Sequence, residues 1–325
     1  MRFHMDSTAK KTLCRIVAVL FMGGTIALAG LCNAAAAKVS AKATEPKGFQ
    51  SPEEAAQALV DAAKNNDNKK LLAILGRAGE ELISSGDAVA DRQGRERFVR
   101  MYETKHRLSK EGAGMMAIEV GEEDWPFPIP IIKQGGRWRF DTRAGKEEIL
   151  NRRIGQNELS AIQVCQAYVD AQREYSMKDR DGDGILEYAQ KLVSEEGQKN
   201  GLYWNAGEGE ETSPLGPFAA RAHKEGYTRE NTGDAPPPYH GYYYNILKRQ
   251  GKSAPRGACD YLVHENMIGG FALVAYPARY GSSGIMTFIV NHDGVVYEKN
   301  LGKKTEAIAR SIETFAPDKT WKKVK

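Results

Sequence analysis

Residues 146–175 read KEEILNRRIG QNELSAIQVC QAYVDAQREY, and this stretch decides the fold. Leu159, Ile162, Cys165 or Gln166, and Val169 recur at helical steps, while Ala161, Val164, Tyr168, Ala171 and Tyr175 mark a second apolar stripe. Two stripes predict a helix covered on two sides. Downstream, Gly241–Gln250, Asp260–His264, Gly270–Tyr276, Gly284–Asn291 and Gly294–Lys299 read as strands, with Asn291-His292-Asp293-Gly294 as a hairpin turn between the last two. Thr305–Phe315 reads as a closing helix with Ile308, Ala309, Ile312 and Phe315 inward. A long helix packed on an antiparallel meander makes residues 145–325 an α+β domain.

Upstream, residues 49–144 read as a second α+β domain. Ser51-Pro52-Glu53-Glu54 combines a serine cap, a proline that loses nothing at the first helical position, and a capping-box glutamate. Short helices follow at Lys69–Leu75, with Leu71, Leu72, Ile74 and Leu75 inward, and at Arg92–Lys105. Strands then run over Met115–Val120 and Ile129–Gln134, and Gly135-Gly136 turns the chain into Trp138 and Phe140. Helices followed by a small antiparallel sheet look like the cone-shaped NTF2-like folds in plan, as the second domain does like pilin-type folds. Such analogies carry no functional residues.

The first 37 residues form a basic opening, an uncharged run from Ile16 to Leu31 and Ala34–Ala37, the pattern of a secretory signal peptide. About 16 apolar residues are too few to span a bilayer, so no transmembrane segment is expected after cleavage. Leu31 occupies the place where lipidation would want a small residue, which argues against a lipoprotein anchored at Cys32. A flexible lead, 38–48, follows. Removing four basic residues and Asp6 with the signal leaves 42 basic against 41 acidic residues, so nucleic acid is not an expected partner. A periplasmic or secreted protein keeps Cys165 and Cys259 in an oxidising compartment, where a disulfide between them is expected.

One stretch carries site chemistry. Asp179, Asp181 and Asp183, then Gly184, Ile185 and Glu187, occupy positions one, three, five, six, seven and nine of a twelve-residue EF-hand loop, 179–190. Hard oxygen ligands at this spacing suit Ca²⁺. The twelfth position is Gln190, a neutral amide where the pattern wants a bidentate glutamate. The bland alternative is an Asp-Gly turn that shows its charges to water. Tyr239, Tyr242, Tyr243 and Tyr244, with Trp125-Pro126-Phe127-Pro128 and Trp204, could line a groove for a peptide or glycan, but a strand burying alternate tyrosines explains the run as well.

The runs Gly269–Gly281, Gly284–Asn291 and Gly294–Gly302, together with Arg152-Arg153-Ile154-Gly155, Asp179–Gly184 and Gly241–Tyr244, resemble the bacterial DUF2950 family of exported proteins. The resemblance implies export and a shared two-part layout, and no catalytic residues. No Gly-x-Ser-x-Gly, His-Glu-x-x-His, Cys-x-x-Cys or phosphate loop is present. The expected function is therefore a non-catalytic binding or envelope-associated module, its partner an envelope protein or a glycan. The rival is a periplasmic hydrolase assembled from distant residues, with His240, Asp260 and His264 as the suspects.

Overall fold

A helix cap opens the first helix. Ser51 Oγ accepts from Glu54 N at 3.1 Å, and Glu54 reaches back to Gln50 N at 2.8 Å, closing the first turn of α1 (Pro52–Lys64). The structure, a computed structural model, describes residues 45–180, 182–227 and 237–324. The expected signal segment, Cys32, residues 38–44 of the lead, Asp181 and residues 228–236 lie outside the described residues.

Three further helices follow: α2 (Asn68–Leu75), α3 (Glu80–Ile83) and α4 (Ala88–Thr104). The last begins one turn earlier than its apolar spacing suggests, because Asp87 caps it by accepting from Val89 N and Ala90 N at 3.1 and 3.0 Å. The chain then enters an antiparallel five-stranded sheet: β1 (His106–Gly112), β2 (Met115–Val120), β3 (Trp125–Pro126), β4 (Ile131–Gln134) and β5 (Arg137–Phe140), ordered β1-β2-β4-β5 with β3 on β2. Gly135 and Gly136 both take positive φ, +57° and +78°, which is what a two-residue turn matching the strand twist requires. Phe49, Leu59, Ile74, Ile118, Ile131 and Phe140 close the first apolar core. Leu72, expected inward, is exposed.

Helix α5 runs from Thr142 to Tyr175, 34 residues, with Asp141 as its cap. Its start is pressed against the first unit: Thr142 Oγ1 donates to Leu75 O at 2.8 Å, and a Cβ on Gly145 would stand 2.2 Å from Pro128 O. Its later turns carry Ala161, Cys165, Tyr168, Val169 and Tyr175 into the second core. Leu159, at the changeover, faces water.

After α6 (Gly216–Lys224) come β6 (Tyr242–Leu247), β7 (Arg249–Gln250), β8 (Cys259–Asp260), β9 (Leu262–Val263), β10 (Asn266–Met267), β11 (Ala272–Pro277), β12 (Met286–Asn291), β13 (Tyr297–Asn300), α7 (Thr305–Arg310) and β14 (Lys322–Lys323). The main sheet is ordered β14-β13-β12-β11-β6 and is antiparallel throughout. It is not a simple meander. The expected strand Asp260–His264 stays out of it: β7 pairs with β8 and β9 with β10 as separate ribbons, the second turned by positive φ at His264 and Glu265. β11 lies between β12 and the edge strand β6, with α5 and α7 both packed against it, and all six of its residues are buried. A continuous apolar run suits a strand covered on both faces. Among the described residues the fold is thus α+β, with seven α-helices and antiparallel sheets, and no helix is long and apolar enough to cross a membrane.

Two segments with helix-forming side chains do not run as full helices. Residues 185–195 are irregular, because Gln172, buried on α5, holds both backbone groups of Ala189 at 2.8 and 2.7 Å while Tyr188 N donates to Met267 O. The closing helix stops at Arg310, since Phe315 N donates to Arg249 O and bridges to Gln250 instead.

The disulfide expected between Cys165 and Cys259 is absent, and both are free thiols. Cys165 is sealed between α5 and the sheet, whereas Cys259 sits on an exposed ribbon and donates to Asp260 O. Burial pushes the Cys165 thiol up to about 12. Alkylation of the native protein at pH 8, mapped by mass spectrometry, is therefore expected to label Cys259 and spare Cys165 until the fold is melted. The helix glycines predict opposite signs. Gly145→Ala drives a methyl into the Pro128 carbonyl and is expected to lower stability by about 1–3 kcal/mol. Gly94→Ala in α4 meets no atom within 4 Å and is expected to raise it by about 0.5–1 kcal/mol, both read by denaturant melts.

Candidate functional site

The acidic loop begins where α5 ends. The two carboxylate oxygens of Asp179 accept from Gly182 N at 2.7 Å and from Gly184 N at 2.9 Å. Gly182 and Gly184 have φ of +80° and +85°, so the chain can curl around Asp179 without a side chain in the left-handed region. Asp183 accepts from Ile185 N at 2.7 Å with one oxygen and from Asn266 Nδ2 at 2.8 Å with the other. Glu187 Oε2 accepts from Met267 N at 3.0 Å. The loop is therefore stitched along β10, and its carboxylates are held in place by backbone donors.

Gln190 belongs to a different group. Its Nε2 donates to Glu265 O at 2.6 Å and its Oε1 accepts from Lys248 Nζ at 2.9 Å, so the amide braces the β9–β10 turn and does not close the loop. Among the described residues no three His, Cys, Asp or Glu side chains gather in metal-holding geometry, Asp181 lying outside them.

Sequence reasoning missed the residue that anchors the loop. The Arg180 side chain is 4% exposed, its guanidinium 4.7 Å from the Tyr175 ring and 5.6 Å from the Trp204 ring. It donates to the Tyr175 carbonyl and pairs with Glu211 at 3.3 Å, and Lys178 and Lys199 reach the same carboxylate. Those cations hold Glu211 below the usual carboxylate range, the hydrogen bond from Lys178 first. Trp204, weighed as a groove residue, is in fact nearly buried and donates its Nε1 to Glu211 O.

The three suspects of a hydrolase site are not brought together. His240 pairs with Glu225 at 3.0 Å, and Tyr239 donates to the same carboxylate at 3.3 Å. Asp260 is exposed on β8 beside Arg249. His264 is exposed at the β9–β10 turn.

A large hollow lies elsewhere. A cavity of about 900 Å³ opens between α1, α2, α4, the first sheet and the first half of α5. Trp125 and Phe127 line it, as do Arg95, Arg97, Arg152 and Arg153, with His240 and Glu225 at its edge. Arg152 stacks on Trp125 at 4.9 Å and pairs with Glu148 at 2.6 Å. The sequence carries two traces of this site: the Trp125-Pro126-Phe127-Pro128 run, read as a possible groove and now lining the cavity through Trp125, Phe127 and Pro128, and the Arg152-Arg153 pair, which marks nothing until α4 is laid beside α5.

No curated protein and no solved structure matches this chain. One family model does, described as "Protein of unknown function (DUF2950)", and it covers residues 46–324, both cores, the acidic loop and the cavity together. The chain belongs to the DUF2950 family.

Proposed function

We propose that the protein is an exported, non-catalytic binding or envelope-associated module whose loop 179–190 takes up Ca²⁺ as a structural brace. The observation that carries the reading is the curl around Asp179, whose two oxygens hold the backbone of Gly182 and Gly184 in a tight acidic turn. Asp183 and Glu187, fixed by Asn266 and Met267, stand at the fifth and ninth positions of the loop with hard oxygen donors of the kind Ca²⁺ prefers. With Arg180 locked beneath the loop, the ion has little ordering cost to overcome. Gln190, engaged with Lys248, leaves the twelfth position without a carboxylate, which points to affinity in the weaker range of Ca²⁺ loops.

The dispersal of His240, Asp260 and His264 favours a binding role over hydrolysis. Export rests on the first 37 residues and is checked by the mature N-terminus of protein recovered from the periplasm or medium.

Thermal melts test the brace. At free Ca²⁺ a hundredfold above Kd the expected gain is about 2.7 kcal/mol, a rise of several degrees in Tm. Asp181→Ala is expected to abolish the gain while leaving the chelated melt unchanged. Identical melts in Ca²⁺ and in chelator would falsify the proposal.

A further inference from the structure

The cavity wall is divided unevenly between carbon and charge. Leu71, Leu75, Ile83, Phe98, Phe127 and Ile129 supply an apolar interior, and about 900 Å³ falls within the roughly 300–1,000 Å³ of sites that enclose small molecules. Phe98 and Phe127, rings 5.0 Å apart, are only half-buried, so the protein leaves aromatic surface facing the hollow. Unburied apolar surface of this kind is stabilising only when something covers it.

The charges on the same wall do not cancel. Asp91 accepts from Ser85 N at 2.9 Å and faces Arg95 and Arg153, and Glu225 pairs with His240 at 3.0 Å, so two carboxylates stand against four guanidinium groups on the wall. Arg152 has Glu148. Among the described residues Arg95, Arg97 and Arg153 make no ion pair within 4 Å; Arg95 donates to Asn66 Oδ1 at 2.8 Å and to Ile83 O at 3.1 Å, and Arg153 donates to Glu81 O and Leu82 O at 2.8 and 2.6 Å. Burial drives the guanidinium pKa of both Arg95 and Arg153 down and the Asp91 carboxyl up, the mark of cations held out of water. A planar guanidinium with free donors matches a carboxylate or phosphate.

Gly94 adds an independent observation. It lies inside α4, where glycine costs about 1 kcal/mol relative to alanine. Packing does not demand it, since a Cβ there meets nothing within 4 Å. It is one of the residues that line the cavity.

We propose that this cavity binds a single-chain amphiphile with an anionic head, the hydrocarbon chain lying against Leu71, Phe98 and Phe127 and the head against Arg95, Arg97 and Arg153. The proposal is independent of the Ca²⁺ loop, which lies at the far end of α5.

Titration calorimetry with dodecanoate, dodecyl phosphate, dodecyltrimethylammonium and acetate, on the full purified protein below each detergent's micelle concentration, tests it. Dodecanoate or dodecyl phosphate is expected to bind with one-to-one stoichiometry, and whichever binds tighter identifies the head as carboxylate or phosphate. The cationic amphiphile and acetate are expected to bind at least tenfold more weakly. Gly94→Trp fills open space and is expected to keep the fold while weakening dodecanoate at least tenfold; Gly94→Ala is expected to stay within twofold. Arg97→Glu, on an exposed side chain without an ion-pair partner, is expected to erase the preference for the anion. Equal binding of the two opposite head groups, no binding of either anion, or unchanged affinity in a folded Gly94→Trp protein overturns the proposal.

Discussion

One helix has to satisfy two cores. At 34 residues α5 is about 50 Å long, and an isolated helix gains little from its own hydrogen bonds, so its stability comes from what it buries. Its first turns are buried against α2 and the Pro128 backbone, its last turns against the main sheet and the segment that follows it. The register between the two halves of the protein is therefore set by rotation and length of a single rod. Gly145 fixes one end by allowing backbone contact; Gln172 and Tyr168 fix the other through buried hydrogen bonds to Ala189 and Ala272.

Both candidate sites are consequences of that rod. The cavity exists because α4 and α5 diverge around it, and Arg95 and Arg153 face a shared hollow from separate helices. The acidic loop exists because α5 ends at Tyr175, whose ring supports Arg180 while the chain reverses. Basic groups gather at the first site and acidic groups at the second, so the two ends of the same helix present opposite chemistry.

Periodicity made α5 legible, and the cap at Ser51, the Gly135-Gly136 turn and the apolar run of β11 were equally plain, because each is decided by neighbours in sequence. What escaped reading is decided by distant partners. β1, His-Arg-Leu-Ser-Lys-Glu-Gly, has no apolar alternation and is a strand because β2 supplies its ladder. Residues 185–195 carry helix-forming side chains, yet Gln172 and Met267 take their backbone groups first. The spacing of the acidic residues identified the loop, but neither the engagement of Gln190 by Lys248 nor the seat of Arg180 is written locally. The cavity arginines are indistinguishable from solvent-facing cations until the helices assemble.

Asp87 adds a constraint in time. Its carboxylate is buried and takes four donors: Val89 N and Ala90 N from its own helix, then Tyr227 Oη and Gly241 N, which lie 140 and 154 residues further along the chain. A ribosome or a translocation channel delivers the first two at once and the last two much later. Until they arrive, one oxygen of a carboxylate destined for the interior must stay in water, so the start of α4 cannot be sealed. The seal at the start of α4 is thus completed only by residues from the second half of the chain.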